Sequence, residues 1–315
     1  MGKTVIGADI ATAAELLLGG SLVAIPTETV YGLAAVATNA TAVATIFDVK
    51  NRPFFDPLIV HCHSREQVAQ YVKSVPQWAE QLFEAFSPGP LTIVLPKADS
   101  IPDIVTSGLD TVGIRIPSHP VALELLRKID TPLAAPSANP FGYVSPTTAQ
   151  HVADQLDGKI PYILDGGSCT VGVESTIITE KNSVPTILRL GGISVEQIEK
   201  IIGTVAIEIH STSNPSGPGM LESHYAPHKK IYLGRPEVAT LRTGFLAFKK
   251  PTEFLPISTQ RILSSTGDLN EAARNLFASL RELDSLEIDS IYAELVPEEG
   301  LGRAINDKLR RASAK

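Results

Sequence analysis

Apolar and polar positions alternate in blocks along this chain, and the blocks predict helices interleaved with short strands. Asp9 precedes an apolar stretch that runs to Leu18 and stops at Gly19-Gly20, the layout of a capped helix. The short apolar run 22–25 then predicts a strand. Asn39 opens a second helix that ends near Lys50, and Ser64 followed by Gln67 predicts a capping box for a third. Apolar runs at 58–62, 91–95, 112–116, 133–135, 162–164, 176–178 and 186–190 read as strands. Residues 1–203 are therefore expected to form a mixed α/β domain around a large sheet.

The pattern breaks at 211–219, where every residue is Ser, Thr, Asn, Pro or Gly and can bury little. We place a linker at 204–228 and a smaller domain at 229–315. That domain is expected to hold strands at 230–233, 244–248, 254–257 and 288–293, with helices at about 269–283 and 298–312. The β–α alternation predicts a small Rossmann-like sheet, but the nucleotide fingerprint of that fold is absent, so only the architecture follows.

Composition narrows the function classes. With 27 basic and 34 acidic residues the formal charge is −7, and the whole acidic excess falls within the first 200 residues. Direct binding of duplex nucleic acid is not expected from such a chain. Two cysteines, Cys62 and Cys169, exclude a disulfide framework and fit a reducing compartment. No signal region is visible, and the most apolar stretch (13–37) is broken by Glu15, two glycines, Pro26 and Glu28. The expectation is a cytoplasmic protein without a membrane span.

The chain carries no G-x-x-x-x-G-K-[ST], G-x-G-x-x-G or H-E-x-x-H motif. Gly166-Gly167-Ser168-Cys169-Thr170 departs from a nucleophile elbow at its last position, so a Gly-rich turn is preferred over a serine hydrolase. His61, Cys62 and His63 lack a second cluster to complete a zinc site; on a strand the two histidines would share one face. Lys50-Asn51-Arg52-Pro53 is either a solvated helix end or an anion clamp. Arg115, inside the apolar strand around 112–116, must meet an anion or an internal partner, and Arg189 repeats that arrangement. Pro136-Ser-Ala-Asn139 and Ser145-Pro-Thr-Thr148 offer hydroxyl, amide and helix-start donors, although Thr147 or Thr148 is better read as an ordinary cap.

Taken in order, eight segments resemble the YrdC-like catalytic domain of threonylcarbamoyl-AMP synthases: PTETVYGL (26–33), KNRP (50–53), PLIVH (57–61), SPGPLT (87–92), RIPSHP (115–120), APSAN (135–139), ESTII (174–178) and ILRLG (187–191). HYAP (224–227) and GLGRAINDKLRRA (300–312) resemble the longer, two-domain members, so the likeness covers the chain. Two positions depart from it: Asp56 replaces a common Asn, and Ser87 a common aromatic.

The resemblance implies conversion of L-threonine, bicarbonate and ATP into threonylcarbamoyl-AMP and pyrophosphate. The product would pass to a downstream tRNA-modifying transferase that makes threonylcarbamoyl-adenosine. It places Thr29, His61, Arg115 and Ser175 on the threonine side. Lys50, Arg52, Thr111, Ser137, Asn139, Ser145 and Arg189 would lie on the ATP and carbamate side, with Mg2+ on the phosphates and no metal-binding protein side chain assigned. Tyr225, flanked by His224 and Pro227, is expected to fold over that site and contact the nucleotide. The alternative is a non-catalytic nucleotide- or RNA-binding regulatory module, since related domains have been discussed as RNA binders.

Overall fold

The structure, a computed structural model, describes residues 2–209, 225–236 and 242–314. Eleven strands among them form one mixed sheet: β1 (Val5–Gly7), β2 (Val23–Ile25), β3 (Gly32–Val36), β4 (Ile59–His61), β5 (Leu91–Pro96), β6 (Thr111–Arg115), β7 (Leu133–Ala134), β8 (Tyr162–Leu164), β9 (Thr176–Lys181), β10 (Val184–Arg189) and β11 (Ala206–Ile207). Their order is β1-β8-β2-β3-β7-β4-β6-β5-β9-β10-β11. The helices in this part are α1 (Ile10–Leu18), α2 (Ala40–Lys50), α3 (Arg65–Val68), α4 (Gln77–Phe86), α5 (Asp103–Thr106), α6 (Pro120–Ile129), α7 (Ala149–Leu156) and α8 (Val195–Ile202).

Strand parity sends alternate side chains into two cores. Ala24, Leu33 and Ala35 join a cluster with Ile46 and Phe47 of α2, whereas Val23, Ile25 and Ala34 join one with Leu17 of α1 and Leu126 of α6. The sheet is covered on both faces, which is why its strands read as continuous apolar runs. The caps form as expected: Asp9 accepts from the amides of Ala11 and Thr12, and Asn39 from that of Ala42. At α3 the box closes one residue early. Ser64 accepts from the Gln67 amide, but Gln67 Oε1 takes the amide of His63 rather than that of Ser64.

The second sheet is parallel throughout, with β12 (Lys230–Leu233), β13 (Thr243–Ala247), β14 (Gln260–Ile262) and β15 (Ser290–Ala293) in the order β12-β15-β13-β14. Helices α9 (Leu269–Ser285) and α10 (Gly302–Ser313) accompany it. The strand expected at 254–257 is instead an exposed loop, with Phe254 78% and Ile257 69% accessible. Pro256 has no amide to donate, and Gln260 ties the loop down through the Thr252 amide and the carbonyls of Thr252 and Leu255. The strand begins at that glutamine.

The two sheets meet through a shared core. Val30, Val144 and Val173 of the first part pack in one cluster with Phe277, Leu280 and Ile305 of the second. Gly172, at φ 79°, lies so close to α9 that a Cβ would stand 2.4 Å from Arg274 Cα. Of the segment expected as a linker, Ala206–Ile207 pairs with β10 as the last strand of the large sheet. Ser211–Gly219 and His224 lie outside the described residues. Among the described residues no helix is long and apolar enough to cross a membrane.

Candidate functional site

The ends of β4, β6 and β10 open into a narrow cleft. Three arginines, Arg52, Arg115 and Arg189, line it against one carboxylate, Glu174. An acidic chain thus builds a locally cationic pocket. Thr29, His61, Ser137, Ser175 and Tyr225 complete the set of expected residues at its wall.

Arg115 ends β6 beside its parallel neighbour His61 on β4. Its guanidinium is held on three sides: Nε donates to the Gly89 carbonyl at 3.2 Å, Nη1 to Thr29 Oγ1 at 2.9 Å, and Nη2 pairs with Glu28 Oε1 at 2.7 Å. The internal ion pair is therefore present, in a side chain that also lines the cavity. Nε and Nη1 each donate one hydrogen bond, whereas Nη2 meets Glu28 as an ion pair without a hydrogen bond, so N–H groups on both terminal nitrogens are not used in hydrogen bonds among the described residues.

His61 is buried, and that burial, reinforced by the Arg115 charge, pushes its imidazole down to about 3. It is a neutral ring beside Arg115, free of charge competition with it. The unfolded chain would bind a proton at 6.5, so this histidine favours folding fully above that pH and loses its contribution as pH falls toward 3. His61→Gln is expected to flatten the loss of stability between pH 7 and 4.5. Urea midpoints at the two pH values check this; an unchanged slope would assign acid sensitivity elsewhere.

Arg189 reaches the cavity where β10 slips register between Ile187 and Arg189. It donates to the Ser175 carbonyl and to Ser175 Oγ, both at 3.0 Å, and Ser175 Oγ in turn shares a 2.7 Å bond with Thr92. Arg52 comes from the turn after α2. Asn51 takes the left-handed conformation, φ 51°, and the chain reverses so that Lys50 and Arg52 point inward rather than into water. Arg52 pairs with Asp56 Oδ2 at 2.9 Å and donates to the carbonyls of Asp56 and Pro57. Asp56 is thus the internal counter-charge of the arginine. Burial, followed by the nearby Arg52, holds the Lys50 ammonium well below its ordinary range.

Four expected residues stand outside the cavity wall. Lys50 lies behind it, donating to the carbonyls of Ser137 and Asn139, and so shapes the wall without facing the space. Asn139 spends its amide on the carbonyls of Pro140 and Tyr143. Ser145 donates to Glu174 Oε1 at 2.7 Å. Thr111 starts β6, at the opposite end from Arg115, and lines a separate groove with Trp78 and Glu180. A residue four positions back along a strand is about 13 Å away, beyond direct contact with what Arg115 holds.

Tyr225 does face the cavity, but its ring is fully buried at φ 64°, stacked on Phe277 and covered by Lys308 and Arg311 at 5.2 and 5.3 Å. Sequence reasoning gave Glu174 and Glu28 no role, though each adjoins a chosen residue, and did not find Lys308. Ser168 is exposed on its turn, consistent with the Gly-rich turn. His61 and His63 do not share a site: β4 ends at His61, and His63 turns outward to Asp130 at 3.0 Å.

A cleft lined by three arginines at the strand ends of a mixed sheet defines an α/β protein with a cationic site. A family model described as "Telomere recombination", of the Sua5, YciO and YrdC proteins, matches residues 15–191. A second, "Threonylcarbamoyl-AMP synthase, C-terminal domain", matches residues 193–314. The threonylcarbamoyl-AMP synthase of Pyrococcus abyssi is 42% identical, over 96% of this chain and 94% of that protein. That of Bacillus subtilis is 40% identical, over 97% and 93%. The crystal structure of P. abyssi Sua5 complexed with L-threonine superposes with a TM-score of 0.89 at 39% identity, covering 100% of this chain and 98% of that one. The chain belongs to the threonylcarbamoyl-AMP synthase family of two-domain type, enzymes that make an AMP-linked intermediate from ATP for tRNA modification.

Proposed function

We propose that the cavity holds L-threonine, bicarbonate and ATP together and releases threonylcarbamoyl-AMP and pyrophosphate. The observation that carries this is the division of the arginines: Arg115 with neutral His61 on one side, Arg52 and Arg189 on the other. The threonine carboxylate would take N–H groups of Arg115 not used in internal hydrogen bonds, and a relative's structure with L-threonine supports this reading. The amine combines with bicarbonate to form a carbamate, with loss of water. A carbamate oxygen then attacks the α-phosphorus, and pyrophosphate leaves. No protein nucleophile is needed, and the work of the site is alignment and charge compensation.

Mg2+ is proposed to arrive on the ATP phosphates, where it would neutralise charge on the leaving pyrophosphate. Among the described residues no cluster of three or more His, Cys, Asp or Glu could hold a metal, and Glu174 is the one carboxylate at the cavity wall. Such residues fit a cation carried mainly by phosphate oxygens and water. The mixed anhydride product hydrolyses readily, which supports prompt uptake by a tRNA-modifying transferase, and the cytoplasm is the compartment proposed for both.

Pyrophosphate release from ATP is expected only when threonine and bicarbonate are both supplied. Equal release with threonine omitted would overturn the proposal, because ATP would then be cleaved without the amino acid; no release under any condition would favour a nucleotide-binding role.

A further inference from the structure

The most heavily buried cation among the described residues is one the reaction does not call for. Lys308, on α10 of the C-terminal domain, has no accessible surface, a placement that is stable only with compensation close at hand. Its Nζ donates to the Leu190 carbonyl at 2.7 Å and lies 3.8 Å from Glu174 Oε2, 3.6 Å from Asp307 and 5.2 Å above the Tyr225 ring. Leu190 adjoins Arg189, and Glu174 adjoins Ser175. One ammonium therefore pins the two segments that bring Arg189 and Ser175 together, and it supports Tyr225 from behind.

A second cation of the same domain reaches the same carboxylate by another route. Arg281 on α9 donates to the carbonyls of Val144, Ser145 and His151 and to Gln155 Oε1. Ser145, so held, donates to Glu174 Oε1. Glu174 is thus fixed through one oxygen by the segment that Arg281 grips and faces Lys308 with the other. Among the described residues Oε2 accepts no hydrogen bond, although it is buried at the cavity wall.

We propose that Lys308 and Arg281 are positioning residues of the catalytic site, and that the C-terminal domain acts by setting Glu174, Arg189 and Tyr225 for the nucleotide. On the threonine side, Arg115 is anchored by Glu28, Thr29 and Gly89, none of which Lys308 or Arg281 touches, and Ser175 is the residue of that side held by Arg189. The two halves of the site should therefore respond differently. This inference rests on the activity proposed above, and the parent chain is its control: an inactive parent would fail that reading, not this one.

The test uses the full chain with Lys308→Gln, which keeps a donor for the Leu190 carbonyl but removes the charge. Arg281→Lys, which keeps the charge but loses the planar multidentate contact, serves as the second variant. Pyrophosphate release is measured against ATP and threonine in turn, with thermal melting alongside. The expected result is a KM for ATP raised about tenfold or more, the scale of one charge-assisted contact, with the threonine KM within about threefold of the parent. A merely structural role would lower the folded fraction, and with it kcat, while leaving both KM values in place. Unchanged ATP KM in either folded variant overturns the proposal. So does failure of both to fold, which would make the two cations elements of stability alone.

Discussion

Arg115→Lys is expected to raise the KM for threonine by about ten- to a hundredfold, in a protein that remains folded. A hydrogen bond to a charged group is worth about 1.5–3 kcal/mol, and each 1.4 kcal/mol is about tenfold in affinity. Lysine would keep the charge facing Glu28, so the buried carboxylate keeps a counter-ion. What lysine lacks is the plane that lets one side chain serve Gly89, Thr29 and Glu28 while still offering two parallel N–H bonds. With three donors in place of five, an ammonium that satisfies its internal partners has none left for a substrate carboxylate. Threonine titration of the pyrophosphate assay gives the KM, and the ATP KM measured beside it should stay near the parent value. An unchanged threonine KM would make Arg115 a structural partner of Glu28 only.

How much of this was legible in the sequence depends on what period and spacing can encode. Period-two alternation set Val112 and Ile114 in the core and Arg115 on the other face, which is where the structure puts them. The same parity put Thr111 on the face of Arg115, but alternation gives the face of a strand and not the depth along it, and Thr111 starts β6 beside a separate groove. The inward turn of Lys50 and Arg52 depends on a single left-handed residue, Asn51, and a helix followed by N-R-P reads equally well as a solvated end. Asp56 stood out as a departure from the family pattern. Its i, i+4 partner Arg52 was in view, but the pairing is only decided once both side chains are buried. Lys308 and Arg281 were out of reach for a different reason. Their partners lie 118 to 137 residues away, across a domain boundary, and nothing local in α9 or α10 marks a cation as buried.

Arg52→Met is expected to have the largest combined effect, on stability and on nucleotide use. The guanidinium and the Asp56 carboxylate are almost fully buried, and the arginine also satisfies the carbonyls of Asp56 and Pro57. Removing one partner of a buried pair costs about 3–5 kcal/mol, because the remaining charge keeps its desolvation penalty without its partner. Asp56 would then keep its negative charge beside the cavity without the arginine, so ATP binding should weaken beyond the loss of the Arg52 contact itself. The double variant Arg52→Met/Asp56→Asn separates these effects. Replacing the carboxylate by the amide removes that charge and should recover part of the lost stability, since what is buried is then a neutral group. Activity should recover far less, because the neutral amide ends the repulsion of phosphate but supplies no cation. Urea unfolding gives the first quantity and ATP-dependent pyrophosphate release the second. A single variant as stable as the parent would show that Asp56 finds another partner on its own. Full activity in the double variant would remove Arg52 from the nucleotide side and leave Arg189 to carry the phosphates.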